Sequence, residues 1–144
     1  MKVTVREGFP EVEVLIQCPE ATEEIRRLEA LVLSSSPKLL CTKDGRAQPV
    51  DRREILYIES VDKRCFVYLT DEVFETDFRL YELEEMLDAV GFFRSAKSQL
   101  INIGKLKSLC PDFGGRIEAE LENGERVIIS RQYAKAFKER IGLK

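Results

Sequence analysis

The alternation of apolar and polar positions in residues 1–45 predicts a short β-α-β segment. Residues 11–16 alternate and then become apolar, as a half-buried strand does. Thr22 is a candidate N-cap for the helix that follows, because its hydroxyl can accept a bond from a free backbone N–H. The apolar face of that helix consists of Ile25, Leu28, Leu31 and Val32. Residues 38–42 predict a second strand and residues 43–45 a turn.

The pattern in residues 46–144 is mostly that of β structure. Apolar or alternating runs of strand length lie at residues 55–58, 65–70, 73–76, 116–121 and 127–129. Asp71-Glu72 and Asn123-Gly124 predict hairpin connections, and residues 92–103 a further strand and loop. Helical spacing occurs only at residues 80–90, which Gly91 ends, and in a final helix between Ser130 and Gly142. The fold class is therefore mainly β with minor helices, preceded by the short β-α-β extension.

Length and apolar content bound the architecture. The chain has 144 residues, of which 44% are hydrophobic and 34% charged, so it can form one domain with a short extension. No apolar run approaches the roughly 20 residues of a membrane span. The first seven residues lack the apolar stretch of a secretory signal. We therefore expect a cytoplasmic protein.

Histidine is absent, and the four cysteines (Cys18, Cys41, Cys65 and Cys110) are widely spaced. Zinc sites need closely spaced ligand pairs, so we expect reduced thiols, no metal and no cofactor. Without histidine the chain lacks the commonest general base and every Ser-His or Cys-His nucleophile pair. The composition thus argues against an enzyme, although carboxylate or lysine chemistry stays open.

Charge is unevenly distributed along the chain. The formal net charge is −3. Residues 92–144 carry 11 basic and 6 acidic side chains, a net charge of +5, whereas residues 1–91 carry 12 and 20, a net charge of −8. A basic half is typical of a face that binds nucleic acid. A solvated surface with moderate asymmetry is an equally good interpretation of the charges alone.

Four stretches together resemble the LytTR family of bacterial DNA-binding domains. They are EILYIES at residues 54–60, LYELEEML at 80–87, FFRSAKSQLIN at 92–102 and ISRQY at 129–133. The resemblance covers residues 46–142 and implies an elongated, multi-stranded β domain. It also implies that loops enter successive major grooves of double-stranded DNA and that a homodimer binds paired direct repeats. We accordingly divide the chain into an extension, residues 1–45, and a LytTR-type DNA-binding domain, residues 46–144.

The resemblance implies a first group of DNA contacts in the loop after residues 59–60. Family members often contact a base from the position that matches Cys65. Because a thiol is a poor hydrogen-bond partner, we favour Lys63 and Arg64 as the contacts in this loop.

A second implied group consists of Arg94, Lys97, Ser98 and Asn102. Lys97 matches a base-contacting position, and Ser98 can reach a phosphate. Asn102 matches a residue that is usual in the family, but a side chain that bonds local backbone is at least as good an interpretation.

The third group lies at the start of the last helix and consists of Ser130, Arg131 and Gln132. A helix N-terminus favours phosphate through its free N–H groups and its dipole. Gln132 stands where many relatives have a basic residue. Glutamine can pair with adenine whereas arginine favours guanine, so the preferred site is expected to differ.

Residues 1–45 are too few for the receiver domain that most LytTR regulators carry, so we expect a stand-alone member. The resemblance implies that a small membrane protein restrains such a regulator. The alternative function is a protein-interaction module that uses its acidic half without binding DNA. Glu118 and Glu120 share one face of a strand, but solvent-facing carboxylates need no chemistry to explain them.

Overall fold

A computed structural model describes residues 1–34 and 38–143. The chain divides into two compact units, Met1–Ser36 and Pro37–Lys144. The first unit contains one helix, α1 (Glu23–Ser34). Thr22 accepts a bond from the Ile25 N–H at 3.4 Å, as the predicted N-cap does. Residues 11–16, predicted as a strand, are not in one. Their alternation alone does not suffice, because a strand forms only where a neighbouring strand takes up its backbone hydrogen bonds.

The described residues of the second unit form two antiparallel sheets and two α-helices. Seven strands form the larger sheet in the order β2-β1-β5-β4-β3-β7-β6, and three form the smaller in the order β10-β9-β8. The strands are β1 (Lys38–Lys43), β2 (Arg46–Asp51), β3 (Tyr57–Val61), β4 (Arg64–Tyr68), β5 (Val73–Thr76), β6 (Phe92–Ala96), β7 (Gln99–Asn102), β8 (Leu106–Pro111), β9 (Ile117–Leu121) and β10 (Arg126–Ile129). The helices are α2 (Leu80–Leu87) and α3 (Arg131–Ile141). The predicted mainly β class is confirmed.

The larger sheet is covered on both faces at β3 and β7. Successive residues of a strand point to opposite faces of the sheet, so β3 and β7 contribute side chains to the core on each side of it. Ile58 and Leu100 lie in a core cluster that includes the apolar side of α2. Tyr57 and Ile101 lie in a second cluster with β9, β10 and α3. Each fully buried aliphatic side chain in these clusters contributes about 1.5–3 kcal/mol.

Strand β1 belongs to the larger sheet. It pairs with β2 along its whole length and meets β5 where Thr42 lies opposite Glu75. Its inward residues Leu39 and Cys41 are buried in the first cluster. The strand that the sequence pattern groups with the N-terminal extension is thus an integral strand of the second unit.

The predicted turns position the strand ends. Asn123-Gly124 lies in the connection from β9 to β10, and Gly124 has a φ of +88°, a backbone conformation that glycine adopts without steric cost. The Asn123 side chain accepts a bond from the Glu125 N–H at 3.0 Å. Gly91 and Gly142 each end a helical segment in the left-handed conformation, as predicted.

Candidate nucleic-acid interface

Two hairpin tips lie side by side at one end of the larger sheet. The first tip, Asp62–Lys63, joins β3 to β4, and both residues have positive φ (51° and 66°). The second tip, Lys97–Ser98, joins β6 to β7. Strands β3 and β7 are neighbours, and the Ser60 N–H donates to the Ser98 carbonyl at 2.8 Å. The sheet therefore brings together two loops that are about 35 residues apart in sequence.

The N-terminus of α3 lies next to the second tip. The Ser130 N–H donates to the carbonyl of Ser95 in β6, at 2.9 Å. Ser130 is the N-cap of α3, but its side chain makes no capping bond. Arg131 and Gln132 follow it with exposed side chains. The three groups of residues predicted from the sequence thus converge on one end of the second unit.

Besides Arg64, five of the predicted side chains are exposed at this end: Lys63, Lys97, Ser98, Arg131 and Gln132. Their polar atoms make no side-chain hydrogen bond or ion pair with any residue that the structure describes. Their donors are thus available to an external ligand. Ammonium and guanidinium groups suit phosphate oxygens and guanine, and an amide suits adenine.

Arg64 is exposed but already paired. Its Nη2 lies 2.5 Å from Oε1 of Glu75 on the neighbouring strand, and its guanidinium lies over the Phe66 ring. The hydrogen bond to Glu75 raises the pKa of Arg64. A contact from Arg64 to DNA has to compete with that carboxylate.

Arg94 donates three hydrogen bonds inside the chain. Its Nε donates to the Ala96 carbonyl at 3.0 Å, its Nη2 donates to the Lys97 carbonyl, and its Nη1 lies 2.6 Å from Oε2 of Glu84 in α2. The side chain is 21% exposed. Arg94 therefore holds the second tip rather than projecting from it.

Asn102 is 5% exposed and is occupied by the backbone. Its Nδ2 donates to the Ile55 carbonyl at 2.7 Å, and its Oδ1 accepts from the Gly104 N–H at 3.0 Å. Asn102 therefore bonds the local backbone, as the alternative interpretation has it, and also bonds a distant carbonyl, so its amide is not free to contact DNA.

Two further positions point inward. Cys65 is 2% exposed and packs in the first core cluster, and burial raises the pKa of its thiol. Strand alternation turns this position toward the core, so no base contact arises from it. The Ser130 hydroxyl is also buried, and it has no hydrogen-bond partner among the described residues. The backbone of Ser130 is also occupied, since its N–H donates to Ser95 and its carbonyl accepts from Tyr133 and Ala134, so Ser130 holds the start of α3 in place and does not face the ligand.

Sequence reasoning missed Arg79, the N-cap residue of α2. Its N–H donates to Glu82 at 2.9 Å, and its guanidinium donates to the Lys63 carbonyl at 3.2 Å. Arg79 lines a cleft of about 400 Å³ together with both tip lysines and Arg94. The position of Arg79 just before an apolar helix could have indicated that it is an N-cap residue. Nothing nearby in the sequence indicates that its side chain bonds the first tip.

A loop between β8 and β9 reaches the third group. The Phe113 side chain is 88% exposed, and Arg116 donates to the Phe113 carbonyl at 3.1 Å. At the end of the loop, Gly115 lies against the stem of Arg131, since a Cβ at Gly115 would stand 3.1 Å from the Arg131 Cγ. The absence of a side chain at Gly115 makes room for Arg131.

Within residues 1–34 and 38–143, no three His, Cys, Asp or Glu side chains are grouped so that they could hold a metal ion. None of the helices in these ranges has the length and apolar content that crossing a membrane requires.

A family model described as the LytTr DNA-binding domain matches residues 45–142. The sensory transduction protein LytT of Enterococcus faecalis is 32% identical over 91 residues, which are 62% of this chain and 38% of that protein. An HTH-type transcriptional regulator of Staphylococcus aureus is 25% identical over 130 residues, 89% of this chain and 88% of the regulator. The solved LytTr DNA-binding domain of a Bacillus cereus response regulator superposes with a TM-score of 0.71 at 26% identity, covering 75% of this chain and 99% of that domain.

Proposed function

Because this chain belongs to the LytTR family of DNA-binding domains, we propose that it is a bacterial transcription regulator that binds a specific duplex site through the two hairpin tips and the N-terminus of α3. The family is one of DNA-binding domains and not of enzymes. The observation that carries the proposal is the convergence of exposed, unpaired donors from three distant parts of the chain. We propose that the protein acts in the cytoplasm, where bacterial DNA lies.

The chemistry of the donors assigns them different tasks. Lys63, Lys97 and Ser98 sit on narrow two-residue tips, a shape that fits a major groove about 12 Å wide. Arg131 suits guanine and Gln132 suits adenine. The free N–H groups at the start of α3 favour a phosphate oxygen. Phosphate contacts position the protein, and base contacts specify the sequence.

We further propose that a homodimer places one such surface on each repeat of a direct-repeat site, with the tips and α3 in successive major grooves. Linking two weak modules raises the overall affinity without new base contacts. Residues 1–45, which include α1, are proposed to supply the dimer contact or to bind a restraining partner such as a small membrane protein. The apolar side chains of α1 support this role, because Leu31 is 67% exposed.

The decisive experiment selects duplexes from a random pool and measures affinity for the selected site as a function of salt. Release of counterions makes log K fall linearly with log salt, with a slope near −0.9 per phosphate contacted. Lys97→Ala is compared with Lys43→Ala, because Lys43 pairs with Glu72 beside the turn at the opposite end of the sheet. Equal affinities for the two variants, or no negative salt slope, favour the protein-interaction alternative.

A further inference from the structure

We propose that α2 fixes the geometry of both tips through two arginines, Arg79 and Arg94, which hold the backbone of the DNA-contacting lysines without contacting DNA themselves. The inference rests on the proposed function, because it concerns how the same surface is kept ready for DNA. Under this proposal Arg94 is a positioning residue and not a contact residue. Arg79 and Glu84 are further positioning residues.

Both tip lysines are held in the same way. The Lys63 carbonyl accepts a bond from Arg79, and the Lys97 carbonyl accepts a bond from Arg94. In each case the arginine binds the main chain of the lysine, whose own Nζ makes no hydrogen bond or ion pair with a described residue. The backbone is thereby fixed while the charged end stays available.

Both arginines are in turn tied to α2. The backbone N–H of Arg79, at the N-cap, donates to Glu82 at 2.9 Å. The Arg94 guanidinium lies 2.6 Å from the carboxylate of Glu84. Helix α2 buries Leu83 and Leu87 completely in the first core cluster, so it is a firm support. Both tips are therefore connected, through Arg79 and Arg94, to the same packed helix, α2.

The first tip needs such support. Asp62 and Lys63 both have left-handed backbone conformations, which side chains other than glycine rarely adopt. The second tip follows an irregularity in the pairing of β6 with β7, where the register shifts between Arg94 and Ala96. Arg94 donates to the carbonyl of Ala96, the last residue of β6, and to that of Lys97 in the tip.

The hydrogen bonds that Arg94 makes within the chain argue against a base contact from the same side chain. Pairing with guanine needs two parallel N–H groups in a free guanidinium. Here Nε, Nη1 and Nη2 each already donate within the chain. Tips held before DNA arrives lose less conformational entropy on binding, so their geometry contributes to affinity.

The Glu84→Gln variant distinguishes a positioning role of Glu84 from an effect of its negative charge on DNA binding. Removing an acidic group near the interface should strengthen DNA binding if only net charge matters. If Glu84 orients Arg94, the same change should weaken binding to the selected site about tenfold, with binding to unrelated duplex unchanged or stronger. Glu85→Gln is the matched control, because Glu85 is an exposed neighbour on the same helix whose side chain makes no hydrogen bond or ion pair with a described residue.

Arg94→Lys supplies the second test, because it keeps the charge and loses the three-way geometry. We expect about tenfold weaker binding to the selected site with an unchanged salt slope. Lys97→Ala, which removes a true contact, should reduce the slope by about one. Hydrogen exchange of the free protein should show faster exchange of the Ser60 N–H, which donates to the Ser98 carbonyl of the second tip, in Glu84→Gln than in Glu85→Gln, with the rest of the sheet protected.

The outcomes are distinct. If Lys97→Ala behaves as expected but Glu84→Gln binds like Glu85→Gln, the positioning role is wrong and the proposed function stands. Unchanged exchange of the Ser60 N–H also refutes the positioning role. If the unaltered chain shows no salt-dependent specific binding, the proposed function fails and the positioning role fails with it.

Discussion

The side-chain amide of Asn102 donates to the backbone carbonyl of Ile55 at 2.7 Å, across 47 residues of sequence. With its other end Asn102 accepts the Gly104 N–H, so one buried side chain joins the segment before β3 to the end of β7. Removing it leaves the buried Ile55 carbonyl without this partner and also frees the N–H of Gly104, an exposed residue.

Asn102→Ala is therefore expected to lower the free energy of unfolding by about 1–3 kcal/mol, the cost of unsatisfied buried polar groups. Urea unfolding measures it. Asn123→Ala is the control, since Asn123 bonds one N–H in an exposed turn and should cost less. If the folded Asn102→Ala protein keeps its stability but loses DNA affinity, Asn102 is a contact residue after all.

Base and phosphate contacts are expected from three exposed side chains. Lys97→Ala, Arg131→Ala and Gln132→Ala should each weaken specific binding by about 1–3 kcal/mol. Fluorescence anisotropy with the selected duplex measures the loss. Gln132→Arg should also shift preference from adenine toward guanine at one position of the site.

The controls for these three variants lie on α1. Arg26 pairs with Glu29 and Arg27 with Glu23, both on the surface of the helix. Arg26→Ala and Arg27→Ala should leave DNA affinity unchanged. Equal losses in the α1 variants and the tip variants would mean that only net charge matters.

Gly115 and Gly114 form a matched pair for testing the loop that borders Arg131. Both have positive φ, 83° and 75°, so alanine strains the backbone similarly at either position. Only at Gly115 does the added Cβ meet the Arg131 stem, at 3.1 Å; at Gly114 it meets nothing within 4 Å. We expect similar losses of stability, about 1 kcal/mol each, and a larger loss of DNA affinity for Gly115→Ala. Indistinguishable affinities would contradict a role for this loop in orienting Arg131.

Cys41 should make stability depend on alkaline pH. Complete burial raises the pKa of its thiol from 9.0 to about 11, because the thiolate loses its hydration. The folded state therefore favours the protonated thiol. The stabilisation is fully present below pH 9 and is lost as the pH rises toward 11, by about 2–3 kcal/mol at roughly 1.4 kcal/mol per pKa unit.

Urea unfolding at pH 8 and pH 11 measures this loss. Burial also raises the pKa of Tyr57 and Tyr68, and their share remains in the control Cys41→Ala. The control should thus lose less stability over this range than the unaltered chain. Parallel losses in the two proteins would place the pH dependence elsewhere.

The position of β1 decides how an N-terminal truncation should behave. Removing residues 1–36 should leave the second unit folded, with weak binding to a half-site and no cooperative binding to the paired site. Removing residues 1–45 should also destabilise the fold, because Leu39 and Cys41 leave the first core cluster. Light scattering and thermal unfolding distinguish the two truncations. Full affinity and an unchanged oligomeric state after the shorter truncation would remove residues 1–36 from the dimer.

The sequence by itself determined the local elements of the second unit and the family. Alternation marks β9, Asn123-Gly124 marks its hairpin, and Gly91 and Gly142 mark helix ends. These are short-range features, since strand periodicity, turn conformation and helix capping each depend on residues a few positions apart. Lys97, Arg131 and Gln132 could be singled out because their motifs are contiguous, and the structure leaves all three exposed.

Only the tertiary structure decided which polar side chains face solvent and which strands pair. Residues 11–16 and 38–42 both have strand-like patterns, but only the second stretch lies beside partner strands. Arg94 and Lys97 look alike as exposed cations in one motif, yet Arg94 is held by Glu84 from another element. Such contacts depend on chain segments that folding brings together, and the free energy of burying or pairing a group is set by those neighbours and not by the residue itself.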